Sequence, residues 1–543
     1  MSERFVAKPF WIGPIIASAY AGGGNQPIAI SGQVDPGQGK AQAAGLVPVM
    51  KKDGLFFAAD KAGKKVDLKA VARLLDVPSD GDGWFTLEAE AEWWDGVYGV
   101  LVVLMYYVDL GSGPFFGRLA SLTATPRRQG PRGAALSPAP SKVTDTLPAW
   151  SPDAREAMYR ALSELLEKPL QRVVEKTDID RIRSSNRTAD GLTFVLASCQ
   201  YPAGMLDQKV AEASYVRLAK REGNPRFVLL VGDQVYLDAT AGLFDPTARF
   251  DRFALPHNNL MKMLTGLNVL PLHLHTVLDD HEIEDNWEPL AYDTRPDPIM
   301  VTGREFYLKR QRLSGPAQVP PTGDSHEPLW YALPEGFFVA DTRTERTPRT
   351  AEAIDAARIM SEAQFEAMLS WLNGQPKDSA KFIASPSIFL PRQLRTKQGN
   401  AGALRSDAWD GYPWSMHTLL AHIFENHIEH VVFLSGDEHL SCVAQARITA
   451  KNKGSSVSIL SVHSSGLYSP WPFANCIPAD WDTEPFEFPK SHENYLCEIT
   501  KLDRFPGDGF AVLCTRRVNG GWQLHCKFDR APPTPSKSES YDF

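Results

Sequence analysis

The chain has 543 residues, of which 43% are hydrophobic and 22% are charged, a composition typical of a soluble globular protein. This length exceeds what one hydrophobic core organises, so we expect two or three domains. The net charge of −8 argues against a nucleic-acid-binding surface, and no apolar run is long enough to span a bilayer.

The N-terminal residues and the cysteines bear on the cellular compartment. Residues 1–14 contain neither the apolar stretch of a signal peptide nor a twin-arginine leader, which predicts a cytoplasmic protein. Six scattered cysteines are too few for a disulfide framework. We therefore expect reduced thiols, and one of them could serve as a metal ligand.

Residues 1–145 are predicted to form a β-rich domain. The stretch 83–110 is dense in aromatic and β-branched residues, with turn residues between the runs. Residues 125–142 are rich in Pro and Gly, which is typical of a linker or an exposed loop. Residues 146–190 are predicted to be a helical linker, because apolar residues recur at helical spacing over 151–176.

Residues 191–530 have the pattern of an α/β domain. Strand 191–200, helix 206–225 and strand 226–233 form a strand–helix–strand unit, which is typical of a parallel sheet. The alternation continues with predicted strands at 272–278, 336–341, 381–385, 431–435 and 457–462, and with helices at 363–373 and 416–428. An Asn-Gly hairpin closes this domain, and we expect the polar tail 531–543 to be disordered.

Chemically active side chains follow four of the predicted strands, at the edge of an α/β sheet where ligands bind. These side chains are Cys199, Asp233, the run Asp279-Asp280-His281-Glu282, and Asp437 with His439. Each has an ordinary alternative: a buried cysteine, a helix-capping aspartate or a core histidine. Together they favour a metal site, since buried acids cost several kcal/mol unless a cation or a partner offsets them.

The ligand types in these motifs indicate the metal chemistry. Asp233 and Tyr236 form a D-x-x-Y motif, and Asp437 and His439 form a D-x-H motif on one face of an extended segment. Carboxylate and imidazole ligands suit a hard or borderline ion, whereas Tyr and Cys favour ferric iron. Two metal ions a few Å apart could clamp a phosphate and generate hydroxide near neutral pH.

The ordered motifs "ASCQ", "VGDQVY", "DDHEIEDNW" and "SGDEHLS" resemble the PhoD-type alkaline phosphatase and phosphodiesterase family of calcineurin-like metallophosphoesterases. "VADTRTER" (339–346) and "SDAWDGYPW" (406–414) support the resemblance. It implies an α/β fold in which a β-sandwich is flanked by helices (αββα), preceded here by the β-rich domain. It also implies a hydrolase of phosphoric ester bonds.

The resemblance also implies a set of ligands and catalytic groups. Cys199, Asp233 and Tyr236 would hold Fe(III), and Asp233 would bridge to a second site with Asp280, Asp437 and His439. The second metal would be calcium, with manganese, zinc and magnesium as alternatives. His281 would act as a general acid or transition-state donor, and Asn286 is the competing ligand or phosphate contact.

Several further side chains have two possible roles. Arg343 is expected to pair with Asp341, or else to contact phosphate, and His463 is a candidate substrate contact. His273 and His275 precede a strand end, so packing is favoured over metal binding. For Trp409 and Tyr412 we also prefer packing over a role in lining the cleft.

These features predict a metal-dependent phosphoesterase in which a metal-bound hydroxide attacks the phosphorus of a small phosphate mono- or diester. One alternative is a nucleotide- or phospholipid-directed phosphodiesterase on the same scaffold. Another is a catalytically silent, metal-containing binding scaffold.

Overall fold

The structure is a computed structural model. The residues that it describes are 5–8, 12–17, 28–33, 41–52, 55–60, 62–75, 84–89, 99–107, 151–166, 174–175, 190–203, 207–220, 222–239, 249–267, 269, 273–290, 297–312, 327–451, 453–470, 480–490 and 492–543. The predicted linker 125–142 lies outside these residues.

The chain divides into two compact units. The first comprises Met1–Ser184 with Thr322–Asp324, and the second comprises Ser185–Pro321 with Ser325–Phe543. All the strand ends singled out above belong to the second unit. Within the described residues, no helix is both long and apolar enough to cross a membrane.

The first unit is β-rich, as predicted. Its strands are β1 (Phe5–Lys8), β2 (Ile12–Ala17), β3 (Ile28–Gln33), β4 (Ala41–Lys52), β5 (Leu55–Ala58), β6 (Arg73–Leu75), β7 (Trp84–Ala89), β8 (Gly99–Tyr107) and β9 (Val174–Glu175). One sheet has the order β1-β8-β4-β5, with β6 on β4 and β9 on β8, and a second has the order β2-β3-β7. The unit also contains a short helix, Leu68–Val71.

The helix Pro152–Leu166 confirms the helical pattern predicted for this region. It begins at a proline, which the first helical turn tolerates because the missing N–H has no partner there. Its apolar face places Met158 and Leu162 in the same core as Val47 and Val103 of the sheet. The predicted helical linker is therefore partly a packed element of the first unit.

The second unit contains two large sheets. Its strands are β10 (Thr193–Ala197), β11 (Val228–Val231), β12 (Leu274–Val277), β13 (Tyr331–Leu333), β14 (Phe337–Val339), β15 (Lys381–Ala384), β16 (Arg392–Gln393), β17 (Val431–Ser435), β18 (Ser441–Ala450), β19 (Lys453–His463), β20 (Trp481–Asp482), β21 (Phe486–Lys490), β22 (Glu493–Phe505), β23 (Gly509–Val518), β24 (Gly521–Arg530) and β25 (Lys537–Asp542). The sheet orders are β12-β11-β10-β23-β24-β25 and β13-β14-β15-β17-β19-β18-β22-β21, with β16 and β20 as a separate pair.

The strands whose ends carry the predicted ligands run parallel. β10, β11 and β12 are parallel neighbours in the first large sheet, and β14, β15, β17 and β19 are parallel neighbours in the second. Parallel strands deliver their carboxyl ends to one edge of a sheet. Each sheet therefore collects its polar strand ends at a single edge.

The two sheets pack face to face, with helices on both outer faces. Phe194 of β10 and Phe337 of β14 meet edge to face across the interior, with ring centroids 5.1 Å apart. The helices of this unit are Gln208–Ala211, Ala213–Leu218, Arg249–Gly266, Pro298–Arg310, Glu362–Gly374, Asn400–Ala403 and Pro413–Glu425. Met368 and Leu419 cover the outer face of the eight-stranded sheet. Tyr307 covers the other sheet, where its hydroxyl donates to the Thr276 carbonyl at 2.8 Å.

This arrangement is the predicted α/β fold, a β-sandwich flanked by helices. Strand 431–435 matches β17, and the Asn-Gly hairpin joins β23 to β24 through Asn519 and Gly520, both with positive φ. The expected helix 206–225 is broken into two short helices.

The expectation of a disordered tail at 531–543 is wrong. Residues 537–542 form β25, which pairs antiparallel with β24 and extends the six-stranded sheet. Tyr541 supplies the apolar contact, since its ring is buried in the core between the sheets and its hydroxyl donates to Asp503 at 2.8 Å. A free sheet edge and one buried aromatic residue outweigh the polar composition of this segment.

Candidate metal centre

The strand ends predicted to carry ligands converge at one place. The backbone N–H of Gln200 donates to the Asp233 carbonyl at 2.7 Å, which joins the ends of β10 and β11. The N–H of Leu467, which follows β19, donates to the Ser198 carbonyl at 2.8 Å and so links the second sheet to the first. The carboxyl ends of both sheets therefore meet at the same site.

Two glycines permit this close approach. A Cβ on Gly232, whose φ is +87°, would lie 2.5 Å from the Asp279 Cβ. A Cβ on Gly436 would lie 2.4 Å from the Ser198 Cβ and 2.6 Å from the Val231 carbonyl oxygen. Side chains at these two positions would push the ligand-bearing loops apart.

The backbone is strained where the predicted ligands lie. Cys199, Asp233, Asn286 and Asp437 have φ values of 57°, 55°, 53° and 76°, in the left-handed region that residues other than glycine seldom adopt. Such strain persists only when the surroundings hold the residue in place, and it concentrates at functional sites. Four of the predicted site residues share this feature.

The six predicted metal ligands lie in one connected cluster. Cys199 Sγ is 3.3 Å from Asp233 Oδ2. Carboxylate oxygens of Asp233, Asp279, Asp280 and Asp437 lie within 4.8 Å of one another. Tyr236 and His439 form the other part of the cluster, with the phenolic oxygen 3.2 Å from His439 Nε2.

The Tyr236 ring connects these two parts. It stacks on His281 with ring centroids 4.1 Å apart, and a ring nitrogen of His281 lies within 4.8 Å of oxygens of Asp233 and Asp280. A phenol, an imidazole and carboxylates therefore border the same space. The structure brings the predicted ligands together as a set.

The donor atoms fit a cation. Among the described residues, the buried carboxylate oxygens of Asp233 (Oδ1), Asp279 (Oδ2) and Asp280 (Oδ1) have no hydrogen-bond partner, although buried polar atoms are nearly always paired. Burial raises the pKa of Asp233 and of Asp437 well above the usual range, and neighbouring acidic groups add to the effect. Positive charge at this point would satisfy these oxygens and reverse the shifts.

The thiol of Cys199 would have to lose its proton to join such a site. Burial raises its pKa to about 12, and the Asp437 carboxylate adds to the effect. Ser465 Oγ donates to the sulfur at 3.0 Å, and this hydrogen bond acts in the opposite direction because it would stabilise a thiolate. Metal binding by this residue would therefore release a proton.

His281 is held by an acid that the sequence reasoning missed. Its Nδ1 lies 2.9 Å from both carboxylate oxygens of Asp238. Burial lowers the pKa of His281, but Asp280 and Asp238 outweigh that effect and raise it to about 9. The only signal for Asp238 in the sequence was its place in the loop that begins with the D-x-x-Y motif.

Asn286 lies directly beside Asp280. Its backbone N–H donates to Asp280 Oδ2 at 2.6 Å, and its side-chain Nδ2 donates to Asp285 Oδ1 at 2.9 Å. The side chain is exposed. It is therefore open to a substrate, while its backbone orients a predicted ligand.

Arg343 has different partners from those expected. The expected ion pair with Asp341 is wrong: Asp341 lies 3.5 Å from Arg304 Nη1, and its contact with Arg343 is a hydrogen bond from the backbone N–H of Arg343. The buried guanidinium of Arg343 contacts Asp279 Oδ1 at 2.7 Å and Asp407 Oδ2 at 2.6 Å. Because these carboxylates hold the guanidinium, Arg343 lies behind the cluster. This position does not favour the expected contact between Arg343 and phosphate.

His463 also faces the protein on both sides. Its Nδ1 lies 3.0 Å from Ser435 Oγ, and its Nε2 lies 2.8 Å from the Glu438 carbonyl oxygen. The residue is fully buried, and burial lowers its pKa to about 4. The expected substrate contact is therefore not favoured. His463 instead supports the loop that carries Asp437 and His439.

The packing roles preferred for the remaining candidates agree with the structure. Trp409 and Tyr412 are fully buried in the core under the outer helices. His273 and His275 are buried at the start of β12, where the His275 ring meets Phe227 at a centroid distance of 5.0 Å.

Clusters of ligands that hold two metal ions a few Å apart occur in hydrolases of phosphoric esters. A family model described as PhoD-like phosphatase matches residues 270–471, a range that includes Asp280, His281, Asp437 and His439. This match confirms the predicted resemblance, and with it the enzyme class: a hydrolase acting on phosphoric ester bonds.

The comparison with solved structures agrees on the fold. A chain described as "Structure of PhoD" is 14% identical, with a TM-score of 0.50, and the alignment covers 98% of this chain and 90% of that one. Among curated proteins, none matches this chain. The structural match extends over β10 and β11, whose ends carry Cys199 and Asp233 and which lie outside the family match.

Proposed function

We propose that the chain is a metal-dependent phosphoesterase that hydrolyses small phosphate mono- or diesters at the cluster of strand ends. The observation that carries the proposal is the set of buried carboxylate oxygens on Asp233, Asp279 and Asp280 that lack a hydrogen-bond partner among the described residues. Buried carboxylate oxygens without a hydrogen bond are costly, so a fold that maintains three of them together is built for a cation.

We assign the metal ligands by their chemistry. Cys199, Asp233 and Tyr236 combine a thiolate, a carboxylate and a phenolate, which suit Fe(III). Asp280, Asp437 and His439 would hold a second ion, for which calcium is the first choice and manganese, zinc or magnesium the alternatives. Such ions would lower the pKa of a water molecule and offset the negative charge on the phosphate oxygens.

The protein's own groups would handle the proton and the substrate. Asp238 holds Nδ1 of His281, so Nε2 is the nitrogen that would donate a proton to the leaving oxygen. The exposed Asn286 amide would contact the phosphate. Arg343, which sits behind Asp279 and Asp280, would orient these carboxylates.

The test is hydrolysis of paired chromogenic mono- and diesters by the wild type and by Asp233→Asn, with and without a chelator. We expect the wild type to hydrolyse at least one ester. The chelator should slow this turnover and added metal should restore it, whereas the variant should lack it. The ratio of monoester to diester rates then ranks the substrate class. A wild type that binds metal yet hydrolyses neither ester with any added metal would contradict the proposal and favour a binding scaffold.

A further inference from the structure

Glu282, the residue after His281, occupies an unusual position. It is fully buried, and its carboxylate accepts five hydrogen bonds. Oε2 accepts from the backbone N–H groups of Asp233 (3.1 Å) and Asp279 (2.9 Å), and Oε1 accepts from the N–H groups of Gln234 (2.8 Å) and Val235 (3.2 Å) and from Gln311 Nε2 (3.0 Å).

These donors come from separate segments. Asp233 and the two residues after it form the loop that follows β11, whereas Asp279 begins the loop that follows β12. Gln311 follows the helix Pro298–Arg310. A single carboxylate therefore ties together the two loops that carry the candidate ligands Asp233 and Asp280. Both oxygens of this carboxylate therefore act only as acceptors, from five N–H donors.

The contact with Asp233 is the most informative of the five. Asp233 has a φ of 55°, which an aspartate adopts at some cost. Glu282 binds the N–H of this residue and of the next two, so it holds the strained turn that aims the Asp233 carboxylate at the cluster. Glu282 itself is fully buried, mainly among backbone N–H groups.

We propose that Glu282 is a positioning residue that sets the separation of Asp233 from Asp280 and thereby the affinity of the site for metal. This inference rests on the proposed function, since it requires metal at the cluster. Groups that orient metal ligands from outside the coordination sphere typically change metal affinity by about 10–100-fold when they are mutated.

Glu282→Gln is the informative variant because it keeps the shape and replaces one acceptor oxygen with an N–H₂ donor. That donor would face N–H groups, so the turn would open. The matched control is Glu335→Gln in the turn between β13 and β14, at the amino end of β14. Glu335 is also buried, and it pairs with Arg226 Nη2 at 3.1 Å.

The measurement is calorimetric titration of the metal-stripped full-length protein with Mn²⁺, Zn²⁺ and Ca²⁺ in turn, together with thermal unfolding and the metal dependence of the rate. For Glu282→Gln we expect metal binding to weaken by about 10–100-fold. The metal concentration for half-maximal rate should rise with it, while kcat at saturating metal recovers in part. Glu335→Gln should lower the melting temperature and leave metal affinity at the wild-type value.

If Glu282→Gln does not fold, Gln311→Ala provides the test, because it removes one of the five donors and leaves the loops themselves intact. It should weaken metal binding by less than about tenfold, in the same direction. If a folded Glu282→Gln keeps the wild-type metal affinity, the inference about Glu282 is overturned and the proposed function is not. If Glu282→Gln does not fold, wild-type metal affinity in Gln311→Ala has the same consequence. A wild type that binds none of the three ions would overturn the proposed function with it.

Discussion

Asp437→Asn should stabilise the metal-free protein and destabilise the metal-loaded one relative to the wild type. The Asp437 carboxylate lies within 4.8 Å of carboxylate oxygens of Asp233, Asp279 and Asp280. Two unit charges at that distance repel by about 3.5 kcal/mol at an effective dielectric constant of about 20. Without metal, Arg343 offsets part of this charge through its contacts with Asp279 and Asp280, and His281 lies within 4.8 Å of Asp233 and Asp280.

The net gain from Asp437→Asn is smaller than the full repulsion. Burial and the neighbouring acids raise the pKa of Asp437, so part of the strain is already relieved by protonation. We expect the metal-free variant to gain about 1–3 kcal/mol, which corresponds to a rise in melting temperature of roughly 1–4 °C for a unit of this size. Bound metal would stabilise the wild type by about 2.7 kcal/mol at a hundred times its dissociation constant.

The assay is thermal unfolding of both proteins in chelator and in excess Mn²⁺, with hydrolysis followed in parallel. The order of melting temperatures should reverse between the two conditions, and the variant should lack activity. Asp482→Asn is the control: Asp482 is a buried aspartate that contacts Arg392 at 2.7 Å and Lys397 at 2.9 Å. It should lose stability equally in both conditions. An Asp437→Asn protein that melts below the wild type in chelator would refute the electrostatic reasoning.

Three further predictions concern catalysis, packing and pH. Asp238→Asn should lower kcat by about 10²–10⁴-fold with a small change in KM, because His281 loses the partner that orients it for proton transfer. Gly436→Ala should cost about 1–3 kcal/mol of unfolding free energy because its Cβ would meet backbone and side-chain atoms. Burial lowers the pKa of His257 to about 4. Between about pH 6.5 and pH 4 only the unfolded chain takes up this proton, so the free energy of unfolding should fall as the pH drops through that range. His257→Gln should reduce the slope of unfolding free energy against pH by about one proton.

Each of these predictions has a control. Asp285→Asn should change kcat by far less than Asp238→Asn, because Asp285 is exposed and its carboxylate is 3.8 Å from His281 Nε2; equal losses would remove the positioning role of Asp238. Gly454→Ala should be neutral in denaturant unfolding, since no atom of the described residues lies within 4 Å of its Cβ position. For His257→Gln, the wild-type slope should persist above pH 7, and an unchanged slope between pH 4 and 6.5 would contradict the assignment.

The positions of the predicted ligands could be read from the sequence because they depend on local rules. Asp233 and Asp437 each directly follow an apolar strand and a glycine, and parallel strands end at a shared edge. Knowing that a sheet is parallel is therefore enough to bring such residues together. The order of the strands within the two sheets is not needed for this prediction.

The groups that orient those ligands could not be read from the sequence, because their partners are distant in the chain. Arg343 pairs with Asp279, 64 residues earlier, and with Asp407, 64 residues later. Nothing near Arg343 distinguishes these carboxylates from the adjacent Asp341. Likewise, Glu282 lies within the motif that was recognised, yet its role depends on where the loop of Asp233 passes.

The most direct test of the central claim is an anomalous-scattering map of crystals of the full chain soaked in Mn²⁺. We predict anomalous peaks within coordinating distance of Asp233, and one of these peaks should be surrounded by Asp280, Asp437 and His439. We also predict that Asp233→Asn crystals lose at least one peak. A map with peaks elsewhere, or none at Asp233, would contradict the claim that the converging strand ends form a metal centre.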